Sequence, residues 1–224
     1  MFDKIKKAFT KDPQAGPGAQ RDGSAGIAAW AARHGFAFSP AGTGFALDGP
    51  VAGKPCRIEV GRSGRKYIEG NELRGRVDLG ISPDVMLVLM NRPLKDALEK
   101  QAYSTYTDTL QTSIDATMPE EMRLLAMYEE VGWDSMPRVF WSRYALVADE
   151  RANAVGWMDA SLSQQLLEWP EPAPAADQPF LMMLQRGRVY LRMQNGPAQP
   201  SMQHVLQLLA TAGENALRTF PARP

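Results

Sequence analysis

The chain has 224 residues, enough for one large domain or two small ones, and its 44% hydrophobic and 22% charged residues exclude wholesale disorder and a fibrous design. Lys+Arg and Asp+Glu both number 25, so the molecule exerts no long-range pull on polyanions and bulk nucleic-acid binding is not expected. The single cysteine, Cys56, excludes an intrachain disulfide and a multi-cysteine zinc centre.

Phe2, Ile5 and Phe9 recur at helical spacing among Lys4, Lys6, Lys7 and Lys11, the pattern of a short basic amphipathic helix. Such a segment is expected to contact an anionic membrane surface or a partner groove. Residues 12–24 are rich in Gly, Pro, Ala and polar residues and read as a flexible linker, so 1–23 is set apart from the fold. No apolar run approaches the ~20 residues of a membrane span, and the N-terminus lacks the apolar stretch of a secretion signal. The expected location is therefore the cytoplasm, with peripheral attachment to the inner face of a membrane as an option.

Folded structure is expected from Ser24, an N-cap for a helix to His34 that stops at Gly35. Strands at 36–38, 44–48, 55–61, 72–80 and 85–91, separated by turns such as Asp48-Gly49-Pro50 and Ser82-Pro83-Asp84, predict an antiparallel meander. Cys56, Ile58 and Val60 alternate with Arg57 and Glu59, as Leu73, Val77 and Leu79 do with Glu72, Arg74, Arg76 and Asp78. Each of these strands thus has one wet face. Val85 to Met90 is apolar without alternation, as in a strand covered on both sides.

Pro93 opens a predicted helix to about Ser113, and Thr117-Met118-Pro119-Glu120 reads as a capping box for another to about Val131. A strand near 143–148, a helix near 150–169, a stiff Pro/Ala connector, a hairpin of 180–184 with 188–193 and a last helix follow. The predicted fold class is α+β: an N-terminal antiparallel meander with flanking helices, then a βαββα-like lobe. The lobes span 24–115 and 116–224, either separately or as one compact domain.

No phosphate loop, dinucleotide fingerprint, zincin motif, nucleophile elbow or EF-hand loop occurs. No cofactor or metal is expected. His34 and His204 are isolated in sequence, Cys56 falls on an apolar strand face, and Glu120 and Glu121 suit a helix N-terminus, all readings that need no catalytic role. Asp108 has polar neighbours but no evident base or nucleophile, and Trp133, Phe140, Trp141 and Tyr144 read as core aromatics before a binding surface.

The most distinctive cluster is Arg57, Arg62, Arg65 and Lys66 around Gly61-Arg62-Ser63-Gly64, able in principle to hold a phosphate or carboxylate. Glu59, Glu69 and Glu72 are the competing partners, and exposed pairing with them is the expected state. The leading functional expectation is a binding or scaffold protein engaging an unidentified protein partner or an anionic membrane surface; the rival is an enzyme acting on a small anionic substrate near Arg62 to Lys66.

Overall fold

The structure, a computed structural model, describes residues 17–109, 119–195 and 201–220, with side chains described for 25–102, 119–195 and 201–220. Phe2, Lys4, Ile5, Lys6, Lys7 and Phe9, Thr117 of the expected capping box and the side chain of Asp108 lie outside the described residues.

Helix α1 (Pro17–Arg33) leads into β1 (Ala37–Ala41), β2 (Gly44–Val51), β3 (Lys54–Arg62) and β4 (Asn71–Asp78). The helix starts before Ser24, with Pro17 at its first position, where a missing N–H costs nothing. Gly35 follows it at φ 75°, the left-handed stop expected of glycine. Asp48-Gly49-Pro50 is not a turn but the continuation of β2, where Gly49 pairs with Cys56 and Pro50 with Pro55. A Cβ on Gly49 would stand 2.6 Å from the ring of Phe36, so the glycine serves packing rather than chain reversal. The reversal falls at Ala52-Gly53, with φ values of 50° and 70°, the left-handed pair that matches strand twist in a two-residue hairpin.

Next come β5 (Leu87–Asn91), α2 (Arg92–Thr109), α3 (Glu120–Met127) and β6 (Glu129–Val131). The helix expected to reach Val131 ends at Met127; Tyr128 turns extended and the chain pairs with the following strand instead. After α4 (Arg138–Arg143) and β7 (Tyr144–Ala148), the single helix expected over 150–169 is two, α5 (Arg151–Trp157) and α6 (Ala160–Leu167). Met158 is non-helical, and Asp159 restarts the helix by accepting from Leu162 N–H at 2.9 Å. β8 (Phe180–Gln185), β9 (Arg188–Asn195) and α7 (Met202–Thr219) complete the chain.

The fold is α+β, with one antiparallel nine-stranded sheet in the order β1-β2-β3-β4-β9-β8-β5-β7-β6. The expected meander holds for β1 to β4, but β5 leaves it and lies between β8 and β7. The C-terminal hairpin fills the gap, so strands from both expected lobes share the sheet.

One face carries the larger core: Leu47, Ile58, Leu73, Val77 and Leu191 pack with Val205, Leu208, Leu209 and Ala212 of α7. Gly75 makes the approach of α7 close, since a Cβ there would stand 2.7 Å from Leu209. Trp157 is fully buried and donates its indole N–H to Ala212 O at 2.9 Å, tying α5 to α7. On the other face a smaller core joins Val88, Met90, Val147, Leu181 and Met183 to Leu94 and Leu98 of α2 and Met122 and Leu124 of α3. Leu87 and Leu89 of β5 belong to the first core and Val88 and Met90 to the second, which explains an apolar run without alternation. On this second face, polar side chains take over along β2, β3, β4 and β9.

Candidate functional site

Alternation sends Asp48 of β2, Arg57 and Glu59 of β3, Glu72, Arg74, Arg76 and Asp78 of β4, and Arg188, Tyr190 and Arg192 of β9 away from α7. Register then arranges them in rows: Asp48, Arg57, Arg76 and Tyr190 in one, Glu59, Arg74 and Arg192 in the next. Arg57 thus faces Arg76 and Arg74 faces Arg192, an arrangement that costs energy unless carboxylates stand between.

The carboxylates are present. Arg57 donates to Asp48 Oδ2 at 2.7 Å and Glu59 Oε1 at 2.9 Å, and these hydrogen bonds raise the pKa of its guanidinium. Arg74 ion-pairs with Glu59 at 3.4 Å and Glu72 at 3.2 Å. Arg192 donates to both Glu72 oxygens, at 3.0 and 3.2 Å. Arg76 has a loose contact to Asp78 at 3.5 Å, and Arg188 pairs with the same carboxylate. Five guanidinium groups therefore meet four carboxylates, leaving one positive charge.

Two environments coexist on this face. Arg57, Arg76 and Arg188 are 40, 46 and 44% exposed, and ion pairs so placed contribute about 0–1 kcal/mol. Their donors can turn to a bound anion at small cost. Glu72 is fully buried, and a third partner, Ser63 Oγ, donates to its Oε2 at 2.6 Å. Glu121 is also fully buried: Arg65 Nε lies 2.8 Å from its Oε1 and Tyr67 O–H donates to that oxygen at 2.5 Å. Burial first, then the Glu121 charge, pushes the Tyr67 pKa far up, so its hydroxyl remains a proton donor. These buried carboxylates fix the 63–70 loop and α3 to the sheet and hold Arg74 and Arg192 in place. Arg57, Glu59, Arg74, Arg76, Tyr190 and Arg192 border a shallow cavity of about 160 Å³.

The four cations singled out by sequence are dispersed. Arg57 lies in the arginine rows, while Arg65 turns to Glu121 at the far side of the loop. Arg62 shares the parity of Cys56, Ile58 and Val60 and is exposed at the strand end; Lys66 is exposed in the loop. Neither makes an ion pair among the described residues. Arg74, Arg76, Arg188 and Arg192 complete the face. Their wet-face alternation is legible in 72–78 and 188–192, but their alignment depends on β9 lying beside β4, which no local pattern signals.

Other candidate residues serve the fold. His204 is buried, its Nε2 lies 3.0 Å from Gln165 O, and its ring packs on Trp169 at 4.6 Å; burial lowers its pKa, partly offset by that hydrogen bond. Exposed His34 stacks on Trp30 with its Nδ1 2.8 Å from Trp30 O. Burial, with Asp48 adding to it, pushes the Cys56 thiol to about 12. Phe140 and Tyr144 are buried, while Trp133 and Trp141 pack partly buried against the same core. Glu120, expected only to meet a helix dipole, accepts from Gln185 Nε2 at 2.6 Å and pairs with Arg186, pinning α3 to the β8–β9 turn.

Among the described residues, no three His, Cys, Asp or Glu side chains gather to hold a metal ion, and no helix is long and apolar enough to cross a membrane. No protein-family description matches the chain, and no curated protein resembles it significantly. Among solved structures the chain is similar to the mycobacterial trehalose monomycolate transport factor A, TtfA, with 11% identity and a TM-score of 0.47 over 90% of this chain and 97% of that one. At that distance the likeness says nothing of activity.

Proposed function

We propose that this protein is a binding or scaffold protein whose arginine-lined sheet face docks an acidic segment of a protein partner. The supporting observation is the contrast across one set of strands: α7 covers one face of β2, β4 and β9, while Arg57, Arg76 and Arg188 on the other stay 40–46% exposed. Planar donors on three neighbouring strands, in exposed ion pairs that contribute little, suit carboxylates presented in series along an extended segment. Recognition by charge gives fast, salt-sensitive association more than high affinity. The Phe2, Ile5 and Phe9 segment with Lys4, Lys6 and Lys7 remains a candidate second attachment, tested by sedimenting the full chain with anionic liposomes at low and high salt.

The docking proposal is tested by titrating a glutamate-rich peptide into the labelled full chain and following amide and arginine side-chain NMR signals. Shifts confined to 57–59, 74–76 and 188–192, weakening with salt, support it. Absence of shifts up to millimolar peptide, or shifts centred elsewhere, rejects it.

A further inference from the structure

A second cleft lies elsewhere, independent of the arginine face. The connector at 170–178 forms a strap that bends at 171–172 and turns at 176–177, where Gln178 N–H donates to Ala175 O at 2.9 Å, and it borders, with α6 and the start of α2, a cavity of about 530 Å³. That volume falls within the range of sites that bury small organic ligands. The strap is latched: buried Asn91 donates its side-chain amide to Ala176 O at 3.0 Å and Gln178 O at 3.1 Å, and accepts from Phe180 N–H at 3.1 Å. Asn91 is fully occupied in holding the wall and offers a ligand little.

The walls are chiefly apolar and aromatic. Tyr144 and Trp169 each meet Phe180 edge to face, with ring centroids 6.0 and 5.9 Å apart, and Leu166 and Leu167 close the floor. A flat ring inserted here extends an existing edge-to-face array. The Tyr144 hydroxyl is spent on Leu166 O at 2.8 Å, and burial raises its pKa, so it supplies no anion of its own.

Three charged side chains line the cleft. Arg92 is bound by both its terminal nitrogens to Glu130, at 2.9 and 2.6 Å, and gives its Nε–H to Trp141 O at 2.8 Å. Arg143 is exposed, gives one donor to Leu167 O at 3.1 Å, and makes no ion pair among the described residues. Glu171, on the strap, accepts from Ala173 N–H at 3.2 Å. One available guanidinium, with the carboxylate of Glu171 lining the same cleft, favours a single negative charge over a dianion such as phosphate.

We propose that this cleft binds an aromatic monocarboxylate, the ring among Tyr144, Trp169 and Phe180 and the carboxylate on Arg143. The test is calorimetric titration of the full chain with naphthalene-2-carboxylate and its neutral isostere naphthalene-2-carboxamide, with amide NMR to locate the site. Carboxylate binding with shifts at Leu167, Trp169, Ala175 and Ala176 is expected. Arg143→Gln should weaken the carboxylate about tenfold or more, the scale of a lost charge-assisted contact, while leaving the carboxamide within about twofold. Should Arg143→Gln fold poorly by its thermal melt, Ala176→Trp, which fills the cleft from the exposed strap, should abolish binding of both compounds. No carboxylate binding at millimolar concentration, equal effects of Arg143→Gln on both compounds, shifts outside the cleft, or undiminished binding to Ala176→Trp would overturn the proposal.

Discussion

Replacing Glu72 by glutamine removes one charge from the centre of the sheet while keeping its volume. Wild-type Glu72 is fully buried and takes hydrogen bonds from Ser63 and Arg192 and an ion pair from Arg74. Removing one partner of a buried ion pair costs about 3–5 kcal/mol when the remaining charge stays buried. Here Arg74 is 40% exposed and Arg192 22%, so water recovers part of their solvation and the expected loss falls to about 2–3 kcal/mol. At roughly 2–4 °C per kcal/mol for a chain of this size, the melting temperature should drop by about 4–12 °C. Urea melts give the free energy directly. Arg76→Gln is the internal control: its one carboxylate contact is 3.5 Å long and 46% of the side chain is exposed, so its effect should stay within about 0.5 kcal/mol. A Glu72→Gln loss no larger than that of Arg76→Gln would refute the division between buried anchors and exchangeable arginines.

Three further outcomes follow from the same structure. Because burial depresses the pKa of His204 below the ordinary 6.5, its stabilising effect is present above that pH and lost as pH falls through the folded-state value; urea melts from pH 7.5 to 5 should show this decline, flattened in His204→Gln. Glu130 and Asp159 do not confuse that window: burial raises their pKa values, but hydrogen bonds from Arg92 and Lys95, and from Leu162 N–H and Arg218, outweigh it and hold both below the ordinary carboxylate value, so their loss belongs to more acid conditions. Gly44→Ala should cost about 1–3 kcal/mol or more in urea melts, since the added Cβ would stand 1.7 Å from Val60 O and force β2 from β3. Cys56, 4% exposed with a thiol near 12 against an ordinary 9.0, should react with iodoacetamide at pH 8 roughly a thousandfold more slowly in the native than in the unfolded chain, read by mass spectrometry.

Local patterning carried much of the fold. Alternation in 55–61 and 72–78 placed Cys56, Ile58, Leu73 and Val77 inside and the arginines outside, and the apolar run at 85–90 correctly marked a doubly covered strand. Sequence-neighbour reasoning failed where tertiary pairing decides. Nothing around Leu87 announces that it pairs with Ala148 and Leu184 rather than with β4, and nothing around Arg192 announces Arg74 as its neighbour. Asp48-Gly49-Pro50 looked like a turn because glycine and proline are turn residues; Gly49 instead makes room for Phe36. Continuous helical periodicity across Met158 and Leu162 hid a break, since both side chains are buried in the core on either side of it. At a helix N-terminus the dipole alone accounts for Glu121, and its partners Arg65 and Tyr67 are more than fifty positions away, beyond any local pattern.

The most direct measurement of the proposed docking role is peptide affinity for a charge-reversed face. Arg57→Glu combined with Arg76→Glu alters two exposed side chains and leaves the buried Glu72 and Glu121 networks in place. If an acidic segment docks across β3, β4 and β9, the double variant should stay folded at a lowered melting temperature, because the two new carboxylates face each other beside Asp48, Glu59 and Asp78, and should lose binding of the glutamate-rich peptide at least about tenfold, with the salt dependence of the remaining affinity flattened. An unchanged affinity and salt dependence in a folded double variant would contradict the proposal.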